Sequence, residues 1–260
     1  MPESNPSALK IAFGLLRSFG MYRAHPFRRR ALAQFYASFI RPGDLCFDIG
    51  SHIGSHLDIF LNLGARVIAL EPQPQCIRLL RRRYGRNRRA VLLEQAAAAE
   101  PGFRTLHVSQ KAPTLSTLSE EWAAEIRTDP DFSGTHWDLR IPVRVTTLDS
   151  LIEEYGVPVF CKVDVEGGEL EVLRGLSLPL RALSFEYIAS LKERAFDCIG
   201  RLADLGDYEF NWTRGEGRPL ESRAWLKRAD IVAELMTFCP GRGSGDIYAR
   251  TKIPKIVPRR

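Results

Sequence analysis

Short apolar runs that alternate with amphipathic stretches constrain this chain more than any other feature. Leu45 to Ile49, Arg66 to Leu70 and Val91 to Ala97 read as strands. Between them, Ile53 to Leu63 and Pro74 to Tyr84 carry apolar residues at helical spacing. Gly64 stops the first helix, and Pro74 suits the first turn of the second. Strand, helix, strand, helix, strand implies parallel pairing through right-handed crossovers, and so an open α/β sheet. The alternation resumes with strands at Ile141–Thr146, Val159–Val165 and Leu183–Tyr187, and helices at Leu148–Tyr155, Glu169–Leu176 and Leu191–Leu205. Val159–Val165 is apolar apart from Lys162 and Asp164, as a strand buried on both faces should be. Tyr208–Trp212 and Asp246–Arg250 suit a closing hairpin around a polar, partly helical excursion. Ala98 to Trp137 fits least. Gly102 suggests a turned strand pair and Ser119–Arg127 a helix, and the rest reads as irregular.

Two helices, Ser7–Phe19 and Phe27–Ile40, precede the sheet, with a turn at Arg41–Asp44. The expected organisation is a helical extension over residues 1–44, one α/β domain over 45–251 interrupted by an insertion over 98–140, and a flexible basic tail over 252–260. A length of 260 residues, 45% of them hydrophobic, supplies the core that one such domain needs. No apolar run reaches the roughly 18 residues of a membrane span. The stretch Ile11–Leu16, held between Lys10 and Arg17, is too short for a secretory core. A cytoplasmic protein is therefore expected. The five cysteines are scattered and form no C-x-x-C pair, which points to reduced, buried thiols and away from a disulfide frame or a zinc site.

The formal charge of +6 is unevenly spread. Arg78, Arg81, Arg82, Arg83, Arg86, Arg88 and Arg89 crowd one stretch, Arg28 to Arg30 form a second, and the tail adds Lys252, Lys255, Arg259 and Arg260. Such runs are either solvated faces or a docking surface for something acidic.

Three segments carry candidate chemistry. The first is the turn Phe47 to Gly54, a D-x-G-x-x-x-G pattern in which Asp48 lies on the strand, Gly50 permits a sharp turn and Gly54 a close approach. His52 stands where many nucleotide loops keep a glycine. The second is Glu71 at the end of the next strand. An acid about 20 residues after the first can accept both ribose hydroxyls of an adenosine ligand, although helix capping is the plainer reading. The third is Lys162 to Glu169, where acids, a lysine and two glycines meet a strand end. Ligands of open α/β sheets bind at the carboxyl ends of the strands, and buried charges there are costly unless solvated, paired or used.

Four segments together resemble the FkbM family of S-adenosylmethionine-dependent methyltransferases. They are FDIGSHIG (Phe47–Gly54), ARVIALEPQP (Ala65–Pro74), VTTLDSL (Val145–Leu151) and KVDVEGGELEVLRGL (Lys162–Leu176), in matching order and spacing over about Leu45 to Tyr187. Ser51 and His52 depart from the small residue and Asn typical of the family's first loop. The resemblance implies an α/β, Rossmann-like class I methyltransferase fold: a mostly parallel seven-stranded sheet with helices on both faces and an antiparallel seventh strand near Asp246–Arg250. It implies O-methylation of a hydroxyl on a small molecule or sugar. Asp48, Gly50, His52, Gly54, Glu71 and Ala96 would then bind S-adenosylmethionine.

A hydroxyl acceptor reacts better beside a base. Asp164 and Glu166 are the first candidates for the catalytic groups, with His136, His52 and Glu186 behind them. Glu166 can equally cap the following helix. No ligand pattern demands a metal. Three competing readings are an NAD-dependent oxidoreductase, which would want G-x-G-x-x-G in the first loop, a non-catalytic nucleotide-binding module, and a nucleic-acid methyltransferase suggested by the arginines. No N-P-P-[YF] tetrapeptide for base methylation occurs, and no aromatics interleave with the arginines as in RNA-binding surfaces. Nucleic acid is therefore not the expected partner. The expected partner is a small-molecule or sugar hydroxyl acceptor, and the Arg78–Arg89 stretch is either a solvated face or a docking surface for an acidic carrier or a phosphate-bearing acceptor.

Overall fold

The computed structural model describes residues 26–252, apart from 133, 216 and 240. The expected helix Ser7–Phe19 and nearly all of the basic tail lie outside the described residues. In chain order the elements begin with α1 (Pro26–Tyr36), β1 (Leu45–Ile49), α2 (Ser55–Asn62), β2 (Arg66–Leu70), α3 (Pro74–Tyr84) and β3 (Ala90–Leu93). There follow β4 (Ala96–Ala97), β5 (Gly102–Val108), α4 (Glu120–Ile126), β6 (Leu139–Thr146) and α5 (Leu148–Tyr155). The rest are β7 (Phe160–Val163), α6 (Glu169–Arg174), β8 (Ala182–Ile188), α7 (Lys192–Leu205), β9 (Tyr208–Trp212), α8 (Arg228–Phe238) and β10 (Ser244–Thr251).

Seven strands form one sheet in the order β3-β2-β1-β7-β8-β10-β9. Every neighbouring pair is parallel except those of β10, which runs antiparallel to both β8 and β9. The fold is thus the expected α/β sheet with an antiparallel seventh strand. Because side chains alternate along a strand, each face has its own core. Phe47, Ile49, Cys161, Val163, Phe185 and Ile247 face α6, α7 and α8 through Val172, Ile199 and Ile231. Cys46, Val67, Phe160, Ala182 and Tyr248 face α1, α2 and α3 through Tyr36, Phe60 and Leu80. Tyr36 sits edge-on to Phe60 and Phe160, so helix α1 closes the second core. On that second face, one pleat nearer the carboxyl ends, the same strands carry Asp48, Lys162 and Ser184. Polarity therefore rises towards the site within a single side-chain row.

Two expectations need correction. Val91–Ala97 is not one strand: Ala90–Leu93 forms the edge of the large sheet, while Ala96–Ala97 leaves it to pair with β6. Glu94 marks the break, its carboxylate turned out to Arg81 at 2.8 Å. The 98–140 insertion is also more regular than its sequence suggests. Seven residue pairs join β5 to β6 in an antiparallel ladder, which makes a separate three-stranded sheet. Leu106, Val108, Val143 and Val145 form its apolar face. Among the described residues, no helix is long and apolar enough to cross a membrane.

Candidate functional site

A cavity of about 700 Å³ opens at the carboxyl ends of β1, β2 and β7. The turn after β1 gives it Gly50 and His52, the end of β2 gives Glu71 and Gln73, and β4 gives Ala96 and Ala97. The segment after β7 contributes Asp164 to Gly168, and the small sheet with α4 supplies the opposite wall, including Leu106, Leu118 and Ser119.

Gly50 holds the two halves of this cavity together. Its N–H and that of Ser51 both donate to the Leu70 carbonyl, at 3.0 and 2.8 Å. Its φ is +88°, and a Cβ there would stand 1.7 Å from the Asp164 carbonyl oxygen. No larger residue allows the β1 turn to lie this close to the end of β7. His52 also has a positive φ, 44°, a region that Asn and His enter more readily than most residues. That explains how His fills a place where Asn is usual. Burial pushes the His52 imidazole down to about 4, so it is neutral near pH 7.

Glu71 is buried, and its two oxygens are separately engaged: Oε2 accepts the His52 N–H and Oε1 the Gln73 N–H, each at 2.8 Å. Burial raises its pKa to about 7 against the pull of those two donors. Each oxygen keeps a further lone pair.

On the other side of the cavity, Lys162 is almost fully buried, with 1% of its side chain exposed, whereas Asp164 keeps 32%. Its Nζ lies 3.1 Å from Asp164 Oδ2 and 3.0 Å from Asp246 Oδ1 of β10. Burial opposes ionisation of Asp164, but Lys162, by charge and hydrogen bond, together with His56 and His52, holds the carboxyl below its ordinary value. Glu166 and Glu186 are driven the other way, first by burial and then by neighbouring carboxylates. One carboxylate oxygen each from Asp164, Glu166 and Glu186 lies within 4.8 Å of the others, a spacing at which acids can share a proton or a cation.

The insertion latches onto this loop. Thr117 Oγ1 donates to the Glu166 carbonyl at 2.6 Å, and Gln73 Nε2 to the Pro113 carbonyl at 3.0 Å. A Cβ on Gly167 would meet Trp122 Cγ at 2.1 Å, so the buried indole rests directly on the glycine backbone. Glu169 Oε1 accepts the N–H groups of Val165 and Gly167, at 3.1 and 3.3 Å, and caps the turn from below.

The family described as "Methyltransferase FkbM domain" matches residues 48–212, well over half of the chain and every segment just described except β10. The chain belongs to this family. Among relatives, the 31-O-demethyl-FK506 methyltransferase FkbM of Streptomyces tacrolimicus is 30% identical over 53% of this chain and 61% of its own length. The hexuronic acid methyltransferase AglP of Haloferax volcanii is 32% identical over 55% of this chain and 54% of its own length. The matched segment thus spans little more than half of each relative. Among solved structures, an O-methyltransferase from Bacillus cereus in complex with SAH aligns over 97% of this chain and 93% of that one, at 12% identity and a TM-score of 0.49.

Within the FkbM domain, Gly50, His52, Glu71, Ala96, Asp164 and Glu166 all line the cavity. Asp48 and Gly54 do not. Asp48 is buried behind the turn, where burial raises its pKa to about 6, and Gly54 packs under Leu80 and Tyr84 of α3. Both are packed against the turn from outside the cavity. Of the residues ranked behind Asp164 and Glu166, Glu186 joins the acid cluster, whereas His136 is exposed on the insertion and lines no part of the cavity. Asp246 went unnoticed in the sequence; its one signal is an acid at the head of an otherwise apolar strand, Asp246–Ala249. Thr117 and Trp122 gave no local signal, because only the fold brings them to the glycine loop.

The arginine stretch lies elsewhere. Helix α3 starts beside Glu71 at the cavity and runs back, so its last turn reaches the opposite edge of the sheet, where Val67 N–H bonds the Arg89 carbonyl. Arg78 donates to Pro74, Arg81 pairs with Glu94, Arg83 with Asp58, and Arg89 donates to the Leu61 carbonyl.

Proposed function

We propose that this chain transfers a methyl group from S-adenosylmethionine to a hydroxyl on a small molecule or sugar. The observation that carries the reading is the Glu71 carboxylate. It is buried at a strand end, preset by two backbone N–H groups, has lone pairs to spare, and shares one cavity with an acid cluster. That pair of acceptors fits an adenosine ribose: two donating hydroxyls meet two carboxylate oxygens. Leu70, Ala96 and Ala97 offer an apolar wall suited to the adenine ring. When bound, the cofactor supplies an electrophilic methyl group on a cationic sulfonium.

The chain's own residues do the rest. Asp164 is the ionised acid of the cluster and faces the cavity, so it orients the acceptor hydroxyl by accepting its hydrogen bond. Glu166 and Glu186 hold protons more tightly and keep the crowded acids from repelling one another. Family membership supports methyl transfer, and the first loop lacks the G-x-G-x-x-G of an NAD enzyme. The arginine stretch has no part in this reading, since four of its members have internal partners and its end is remote from the cavity.

The experiment is label transfer. Wild type and Asp164→Asn are incubated with methyl-tritiated S-adenosylmethionine and a small-molecule extract of the source cells. The reading expects a labelled product, stable to alkali as an ether is, formed by wild type and lost in the variant. A product whose label alkali releases as methanol points to a carboxyl acceptor and refutes hydroxyl methylation. No labelled product at all refutes methyl transfer.

A further inference from the structure

Lys162 occupies an unusual position. A fully buried ammonium is costly unless paired, and this one bridges acids from two strands of opposite direction: Asp164 at the end of β7 and Asp246 at the start of β10. It is the cation within a ring of acids. Around Asp164 stand Asp48 from β1, His52 from the turn, His56 from α2, Glu186 from β8, Asp246 from β10, and Glu166 and Glu169 from its own segment. Tyr248 adds its hydroxyl to Asp246 from one pleat away, at 3.4 Å.

One positive charge cannot neutralise these six carboxylates, so its placement biases which acids stay ionised. Lys162 pairs directly with Asp164 and Asp246, and its charge only partly offsets the burial and mutual repulsion that hold Glu166 and Glu186 well above the ordinary carboxyl range. The split is geometric, because β10 fixes Asp246 and Asp246 fixes the second side of the ammonium. Paired acids pushed in opposite directions are how one pocket keeps an acceptor and a donor side by side.

We propose that Lys162 is a positioning residue of the acceptor site, clamped by Asp246 of the closing strand so that the Asp164 carboxylate faces the cavity ready to accept the acceptor hydroxyl's hydrogen bond. It acts through Asp164 and touches no substrate. The assignment rests on the proposed methyl transfer for its kinetic arm only.

The test uses the full chain with aspartate labelled by carbon-13 at the carboxyl carbon, the Asp164 signal being assigned by its loss in Asp164→Asn. In wild type the Asp164 signal titrates below the ordinary carboxyl range. In Lys162→Met its midpoint rises by at least one pH unit. In Asp246→Asn it stays at the wild-type value or falls, since the ammonium is then left to Asp164 alone. An unchanged midpoint in folded Lys162→Met, or a rise of one unit in Asp246→Asn, overturns the proposal, and Lys162→Gln, which keeps a hydrogen-bond donor without the charge and should raise the midpoint likewise, decides if Lys162→Met does not fold. In the kinetic arm, the acid limb of methyl transfer moves up with the Lys162→Met midpoint. A moved midpoint with an unmoved limb overturns the positioning role. Wild type that transfers no methyl overturns the function reading instead, while the titration still decides on Lys162.

Discussion

Substituting alanine for Gly50 tests whether the two halves of the cavity are held together as described. The residue has φ +88°, and its absent Cβ would lie 1.7 Å from the Asp164 carbonyl oxygen. Ordinary non-bonded contacts begin near ~3.5 Å, so the turn and the end of β7 must separate by roughly 2 Å. The left-handed conformation costs an L residue about 1–2 kcal/mol. Forcing atoms into a packed site adds about 1–3 kcal/mol. The sum, about 2–5 kcal/mol, lowers the thermal midpoint by roughly 4–20 °C at ~2–4 °C per kcal/mol. Gly43→Ala is the matched control: its φ is +90°, and nothing lies within 4 Å of the new Cβ, so it bears the conformational cost alone. A displacement of this size at a reacting centre costs about 100-fold in turnover. Thermal unfolding of both variants and steady-state methyl transfer by Gly50→Ala are the assays. If Gly50→Ala melts with Gly43→Ala and turns over like wild type, the close approach of the two loops is not what builds the site.

Three further outcomes are expected. Glu71 has a folded value of about 7, above that of an unfolded chain, so it stabilises the fold at low pH and that contribution is lost as pH rises through about 4.5–7, while His52 and His56, pushed down to about 4, act in the opposite sense below about pH 6.5. The stability of ligand-free wild type relative to Glu71→Gln should therefore be greater at pH 5.5 than at pH 7.5, and the reverse order would discredit the buried-acid description of Glu71. Asp164→Asn and Glu166→Gln should each lower turnover at least ten-fold with less than three-fold change in cofactor dissociation constant; equal turnover in both would make them structural. Changing Arg81, Arg82 and Arg83 together to Gln should cost under ~2 kcal/mol, because exposed ion pairs contribute about 0–1 kcal/mol each, and should leave kinetics and their salt dependence unchanged. A drop in activity with loss of salt sensitivity would instead place an acidic partner on that helix.

Local pattern carried most of the sheet. β1, β2, α3, α5 and β9 begin and end where apolar spacing, Gly64, Pro74 and Gly156 place them, because each is a short-range signal. The acids of Lys162–Glu169 were visible as charges at the end of a buried strand, where polarity needs a reason. What stayed hidden depends on contacts between distant segments. The run Val91–Ala97 is apolar throughout except at Glu94 and Gln95, so nothing local tells that its two ends join different sheets. The pairing of Lys162 with Asp246 needs the position of the last strand, and the seat of Trp122 on Gly167 needs the path of the insertion. Asp48 and Gly54 stand off the cavity lining for a related reason: a motif names the residues that shape a turn together with those that face a cavity, and only burial separates them.

The central claim is that Glu71 receives the ribose of S-adenosylmethionine, and calorimetric titration of wild type and Glu71→Gln with S-adenosylmethionine and with NAD tests it most directly. At pH 8.5, above the Glu71 value of about 7, losing one hydrogen bond to this charged acceptor costs about 1.5–3 kcal/mol, so the variant should bind S-adenosylmethionine roughly 10- to 150-fold more weakly. Wild type should bind S-adenosylmethionine and give no heat with NAD. Wild-type affinity in Glu71→Gln, or tighter binding of NAD than of S-adenosylmethionine, would contradict the account.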